Sequence, residues 1–184
     1  MDMPRIAPME PPYDAEVDQA FSRIMPPGMP PLKLFRIQAH NKRVLLRMFA
    51  GNLLDKGTVS LRERELVILR TCARCDSEYE WGVHVTLFAA KAGLSKEDIA
   101  ATLSGEPELT ALPASEVLLL KAVDELYDSS TMTDALWAKL EQHFSQEQIL
   151  EIISLTGSYH TVSFITNATK VELESFAARF AQYR

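Results

Sequence analysis

Hydrophobic positions recur at helical spacing through most of the chain beyond Pro31. In LLLKAVDELY and ILEIISLTGSYHTVSFI, apolar residues line one side of a 3.6-residue period. The second stretch contains β-branched residues that suit a strand. Its length and lack of turn signals instead predict a long buried helix. Helix-start signals agree with this reading. Ser60 with Glu63, Ser77 with Glu80 and Ser145 with Gln148 each have capping-box spacing, in which the serine and the later acid or amide satisfy orphan backbone donors. No alternation of strand and helix patterns suggests a parallel sheet, and no repeat has a clear period. The pattern predicts an all-α domain with helices packed around one core.

Proline divides the chain of 184 residues unevenly. Eight of the ten prolines fall within the first 31 residues, where a missing donor and a steric clash forbid continuous helix. Residues 1–12 read as an extended arm and 25–31 as a proline-rich linker, with a short helix between them. The resulting division is an N-terminal arm and short helix over 1–31 and a single helical domain over 32–184. An arm of this length either packs on a neighbouring subunit or stays loose. Pro107 and Pro113 lie together in a loop, GEPELTALP.

Composition narrows the class. Apolar residues make up 47% and charged residues 24%, as in ordinary globular proteins. No apolar run is long enough to span a bilayer, and the N-terminus lacks the basic start and apolar block of a signal peptide. The two cysteines then fit a reducing, cytoplasmic setting. The net charge of −6 is asymmetric: residues 1–75 hold 12 Lys/Arg against 8 Asp/Glu, and residues 76–184 hold 7 against 17. No basic groove for nucleic acid is evident. The cations between Lys33 and Arg74, including Arg36, Lys42, Arg43, Arg47, Arg62, Arg64 and Arg70, either form solvated helix faces or favour a small anionic substrate.

Candidate chemistry concentrates in CARCDSEYEWGVH, residues 72–84. The preceding SLRERELVILRTC reads as a helix that sets Leu61, Glu65, Leu69 and Cys72 on one face. A glutamate in that row needs a partner or a proton. Asp76 and Ser77 break the helix and restart it. Glu80 and His84 then stand at i, i+4 and can hydrogen-bond, with Phe88 on the same stripe. Such a pair on the first turns of a helix suits general acid/base work. The alternatives are a plain capping role for Glu80 and a core histidine at position 84. Cys72 and Cys75 have Cys-x-x-Cys spacing. Cys72, however, lies at the C-terminal end of its helix, where the macrodipole disfavours a thiolate. No second cysteine pair completes a zinc tetrahedron. In GSYHTVSFITN, residues His160, Ser163 and Asn167 share a helical face. They either line a pocket or make satisfied contacts between helices or subunits. His40 and His143 carry no signal.

RERELVILRTCARCDSEYEWGVH, then AAKAGLSKEDI, and later SYHTVSFITNATKVELE resemble the carboxymuconolactone decarboxylase family, part of the alkyl hydroperoxidase D-like superfamily. The resemblance is strongest over residues 60–104 and extends from about 32 to 174. The hydroperoxidase motif runs Glu, eleven residues, Cys, two residues, Cys, three residues, His. On this chain it falls without a gap on Glu65, Ser77, Glu80 and His84. The glutamate and histidine match, but serine and glutamate replace both cysteines, and the actual cysteine pair lies five residues upstream. The resemblance therefore implies a proton-relay pair, Glu65 and His84, joined by Glu80, but no thiol peroxidase at the family positions. It also implies an alkyl hydroperoxidase D-like helical bundle, homo-oligomers such as trimers or hexamers, and cofactor-free chemistry in the decarboxylase branch.

Three functions compete. The first is an acid/base lyase or isomerase for a carboxylated lactone or related catabolic intermediate, with Glu65, Glu80 and His84 catalytic. Cys75, Ser77, Tyr79, His160 and Asn167 are then candidate pocket residues. The second is a thiol peroxidase using Cys75 and Cys72. The third is a non-catalytic, ligand-binding oligomer. No metal or cofactor, nucleic acid or membrane is expected in any of them.

Overall fold

The computed structural model describes residues 4–51 and 53–184; the first three residues of the expected arm lie outside them. Among the described residues the regular structure is helical and contains no strand. The α-helices are α1 (Ala15–Ile24), α2 (Lys33–Gln38), α3 (Lys42–Ala50), α4 (Leu61–Arg74), α5 (Glu78–Phe88), α6 (Lys96–Ala101), α7 (Ala114–Ser129), α8 (Asp134–Leu140) and α9 (Gln146–Thr169). Short 3-10 turns occupy Pro107–Leu109 and Phe180–Gln182. Among the described residues, no helix is long and apolar enough to cross a membrane.

Helix α4 is the axis of the fold and packs against α5, α7 and α9. Every residue from Glu65 to Cys72 is buried, so the helix is enclosed on all sides. Its polar members are consequently paired. The Arg70 guanidinium donates to both Asp124 carboxylate oxygens at 2.7 Å and to the Thr102 and Ser104 carbonyls. This bidentate geometry allows a guanidinium to be buried.

The expected helix starts at Ser60 and Ser145 form complete capping boxes with Glu63 and Gln148. The expected box at Ser77 does not form: Ser77 makes no side-chain cap. Its Oγ is buried and engages Thr166 Oγ1 of α9 at 2.8 Å, and Glu80 turns toward His84 instead. A tertiary contact here overrides a local one. A box at Ser95 and Asp98 opens α6. Asp76, with φ of +51°, forms the break before α5, a conformation in which aspartate is among the more tolerated residues.

The N-terminal arm folds onto its own chain. Arg5 N–H donates to the Thr169 carbonyl and Met9 N–H to the Arg36 carbonyl. Arg36 Nε returns a bond to the Met9 carbonyl, and the His40 ring meets the Ala7 carbonyl at 2.9 Å. A second apolar cluster takes Val17 and Phe21 from before the proline-rich linker and Ala39 and Leu45 from after it. The short α1 thus shares its core with α2 and α3. That cluster stands beside the main one, and Phe35 packs against both.

Candidate active site

Helices α4, α5 and α9 bring Glu65, Glu80, His84 and Tyr159 together. Glu65 comes from the middle of α4, Glu80 and His84 from consecutive turns of α5, and Tyr159 from the centre of α9. All four are buried, with Glu65 1% and His84 3% exposed. Glu65 Oε2 lies 2.7 Å from His84 Nδ1. Glu65 Oε1 accepts from Arg64 Nε and Nη2 at 3.3 and 3.2 Å. Arg64 is itself fixed by the Leu54 carbonyl at 2.7 Å. On the other side of the ring, His84 Nε2 lies 3.1 Å from the Tyr159 hydroxyl and 3.4 Å from Glu80 Oε1. Phe88 and Tyr159 also pack on the imidazole, with ring centroids 4.9 and 5.1 Å away.

This arrangement sets the charge of the site. Burial opposes protonation of His84, but Glu65 and then Glu80 outweigh it and raise the imidazole to about 9. At neutral pH the ring is therefore a cation. Nδ1–H donates to Glu65, and the second proton on Nε2 faces Tyr159 and Glu80. Burial, reinforced by Glu80 and Glu65, pushes the Tyr159 phenol well above its usual range, so it stays neutral and keeps its hydroxyl proton. Glu80 Oε2 is buried without a hydrogen-bond partner in the protein. An unpaired buried carboxyl oxygen is costly, and here it belongs to a residue that lines a cavity.

The cavity measures about 680 Å³ and lies between α2–α3 on one side and α5 and α9 on the other. Glu80, His84 and Tyr159 line it, amid apolar side chains such as Phe35, Met48 and Phe88. Its size and lining are those of a small-molecule site. Glu65 stands behind His84, sealed from the cavity, and orients the ring.

The remaining candidates lie elsewhere: none of Cys75, Ser77, Tyr79, His160 and Asn167 lines the cavity. The Tyr79 hydroxyl accepts from Leu34 N–H and donates to Glu174, tying α5 to α2 and the C-terminal segment. His160 stacks between Tyr127 and Phe164 on the outer side of α9. Asn167 is exposed and donates to the Cys75 carbonyl at 2.7 Å. Cys75 caps α4, half-buried, and Cys72 is sealed. Burial raises both thiols, Cys72 strongly, against opposition from Ser163 at both and from Arg74 at Cys75. Both are free. Among the described residues, no group of three or more His, Cys, Asp or Glu side chains could hold a metal ion.

Sequence reasoning did not single out Tyr159, although it lies on the buried stripe Ile152, Leu155, Tyr159, Val162 and Thr166. A hydroxyl on such a stripe needs a partner, which is the signal that could have found it. Arg64 appeared only as one cation among many, because its pairing with its sequence neighbour Glu65 has no periodic signature.

Residues 42–125 match the carboxymuconolactone decarboxylase family. No curated protein sequence matches the chain. Among solved structures it is similar to an uncharacterized peroxidase-related protein from Silicibacter sp. TM1040, with a TM-score of 0.80 at 17% identity over 94% of this chain and 93% of that one. It is also similar to an uncharacterized peroxidase-related protein from Ralstonia eutropha JMP134, described as an alkylhydroperoxidase AhpD core, with a TM-score of 0.80 at 16% identity over 92% and 93% of the two chains. The family match spans Glu65 and His84, and the structural matches show that the chain has an AhpD-like helical fold over nearly its whole length.

Proposed function

We propose that the protein is an acid/base enzyme, a lyase or isomerase of a carboxylated lactone or related catabolic intermediate, with His84 as the proton-transferring group. The observation that carries this reading is the Glu65–His84–Glu80/Tyr159 array at the wall of an apolar cavity. In a decarboxylation, the bond to the carboxyl carbon breaks and its electron pair remains on the substrate as an enolate. The proton on His84 Nε2 then passes to the carbanionic carbon, and water restores it to the ring. In an isomerisation, Glu80 Oε2 takes a proton from one carbon and the imidazolium returns one to another. Glu65 and Arg64 hold the charged ring in place throughout. The homo-oligomer implied by the resemblance, a trimer or hexamer, is part of this proposal. The exposed Leu150 and Phe164 on α9, at 64% and 63%, support it, and light scattering of the purified protein tests it.

The activity test is a panel of carboxylated lactones followed for carbon dioxide release and for proton exchange in deuterated water. Turnover should be lost in His84→Gln and persist in Cys75→Ser. Turnover that survives His84→Gln overturns the proposal. A thiol peroxidase is the second reading, because both structural relatives are described as peroxidase-related. Peroxide consumption that disappears in Cys75→Ser would establish that reading in place of the first.

A further inference from the structure

The cations between Lys33 and Arg74 are not equivalent. Arg36 pairs with Glu10, Lys33 with Glu172, and Lys42 with Asp14 and Glu16. Arg62 is held by Glu116 and Asp98, Arg64 by Glu65, and Arg70 and Arg74 by Asp124 and Asp128. Among the described residues, the side chains of Lys56, Arg43 and Arg47 have no hydrogen bond, ion pair or ring contact, and of these Lys56 lies outside the cavity lining, which leaves Arg43 and Arg47. They are one helical turn apart on α3, exposed, and both line the cavity. Lys91 also lines it, with Nζ 5.9 Å from the Phe88 ring centroid. The exposure of these three cations puts them at the entrance. Glu80, the acidic side chain of the lining, is buried beside His84.

We infer that the cavity takes an amphipathic carboxylate, with its apolar body inserted among Phe35, Met48 and Phe88 and its carboxylate held at the entrance by Arg43 and Arg47. Paired guanidiniums recognise a carboxylate by charge-assisted, bidentate hydrogen bonds. A low-dielectric wall behind them focuses their field at the opening. A carboxylate entering first would lose its hydration among apolar side chains and then meet Glu80. Apolar-first entry avoids both costs. The inference rests on the acid/base reading only for which end of the ligand reacts. The anchored carboxylate does not react, so of the two reactions above the inference selects the isomerisation, in which the carbon that exchanges a proton lies at the inserted end, against His84 Nε2 and Glu80. Anchoring a remote group in this way lets its binding energy serve the reacting centre.

Calorimetry on the full chain tests this with decanoate, decanol and decyltrimethylammonium. Decanoate should bind at least about tenfold more tightly than either of the others, as a charge-assisted contact predicts. The double variant Arg43→Gln/Arg47→Gln should lose about tenfold or more for decanoate and nothing for decanol. Both side chains are exposed and unpartnered, so the fold is not at stake. Lys139→Gln, an exposed cation on α8 outside the cavity lining, serves as control. The inference is overturned by equal binding of decanoate and decanol, by no binding of any probe, by a double variant that binds decanoate as before, or by an equal loss in Lys139→Gln. The readout involves no turnover, so a failure of the acid/base reading leaves it intact, and its own failure leaves His84 untouched.

Discussion

Cys72 and Cys75 end α4, whereas Glu80 and His84 begin α5, and the two pairs meet opposite surroundings within thirteen residues of sequence. The thiols sit where the helix dipole is negative. Cys72 is enclosed and Cys75 half-covered, and burial holds both in the protonated form. The imidazole is more deeply buried than Cys75, yet it carries charge, because Glu65 and Glu80 stand at its two nitrogens. Burial alone therefore does not decide reactivity. Nearby opposite charge reverses its effect at His84, whereas Arg74 opposes the burial of Cys75 without reversing it.

The sharpest way to break this contrast is to remove Glu65. Glu65→Ala leaves the buried imidazole with Glu80 at 3.4 Å as its remaining compensating carboxylate, and Arg64 loses its own. Stability should fall by about 3–5 kcal/mol in urea unfolding, and the raised titration of His84 should drop when followed by NMR of the ring. Cys75→Ser should move stability by no more than about 0.5 kcal/mol. Comparable losses in the two variants would mean that the Glu65–His84 pair has no special standing. On activity, His84→Gln should reduce turnover by about 10²–10⁴-fold in the lactone assay, with an unchanged circular dichroism spectrum.

The pH dependence of stability separates the two pairs without any mutation. The folded titration of His84, about 9, lies above its ordinary 6.5, so the folded state binds the proton more tightly than the unfolded chain. Its contribution is complete below about 6.5 and is lost as pH rises through the folded value, amounting to about 3 kcal/mol across the window. The thiols begin to contribute only near their ordinary value of 9.0. Unfolding measured from about pH 6 to 8.5 therefore reports the histidine. The slope should vanish in His84→Gln and persist in Cys75→Ser. A flat profile in the unaltered protein would contradict the charge state assigned to His84.

Much of this was legible in the residues. Capping at Ser60 and Ser145, the long helix α9 and the Glu65/Cys72 face follow from spacing alone, because helical period and caps are local. Helix α9 is buried along one stripe rather than throughout, and Leu150 and Phe164 are exposed. The closeness of Glu65 to His84 came from the motif rather than from periodicity, since α4 and α5 meet only in three dimensions. The cavity is a different matter. Its walls come from α2, α3, α5 and α9, and whether an arginine is free depends on where distant acids such as Asp124 and Glu116 fall. Ser77 shows the limit from the other side: its capping-box spacing is faultless, yet Thr166 of α9 takes its hydroxyl. Local rules lead until a buried tertiary partner competes for the same atom.

The smallest predicted effect tests the thiol side of the comparison directly. In the folded protein, Cys72 should not react with an aromatic disulfide reagent on the timescale of minutes, because a fully buried thiol can neither ionise nor be reached. Cys75 should react slowly, more slowly than a free cysteine at the same pH, because burial raises its pKa above 9.0. Denaturant should release both at once. Accessibility and acidity make separate contributions, and a pH series distinguishes them: the Cys75 rate should keep climbing beyond pH 9, whereas a thiol limited only by access would level off near its ordinary pKa. A Cys75 that instead reacts faster than free cysteine at pH 7 would be an activated thiolate. The dithiol would then regain the chemical role that its position at the end of α4 denies it.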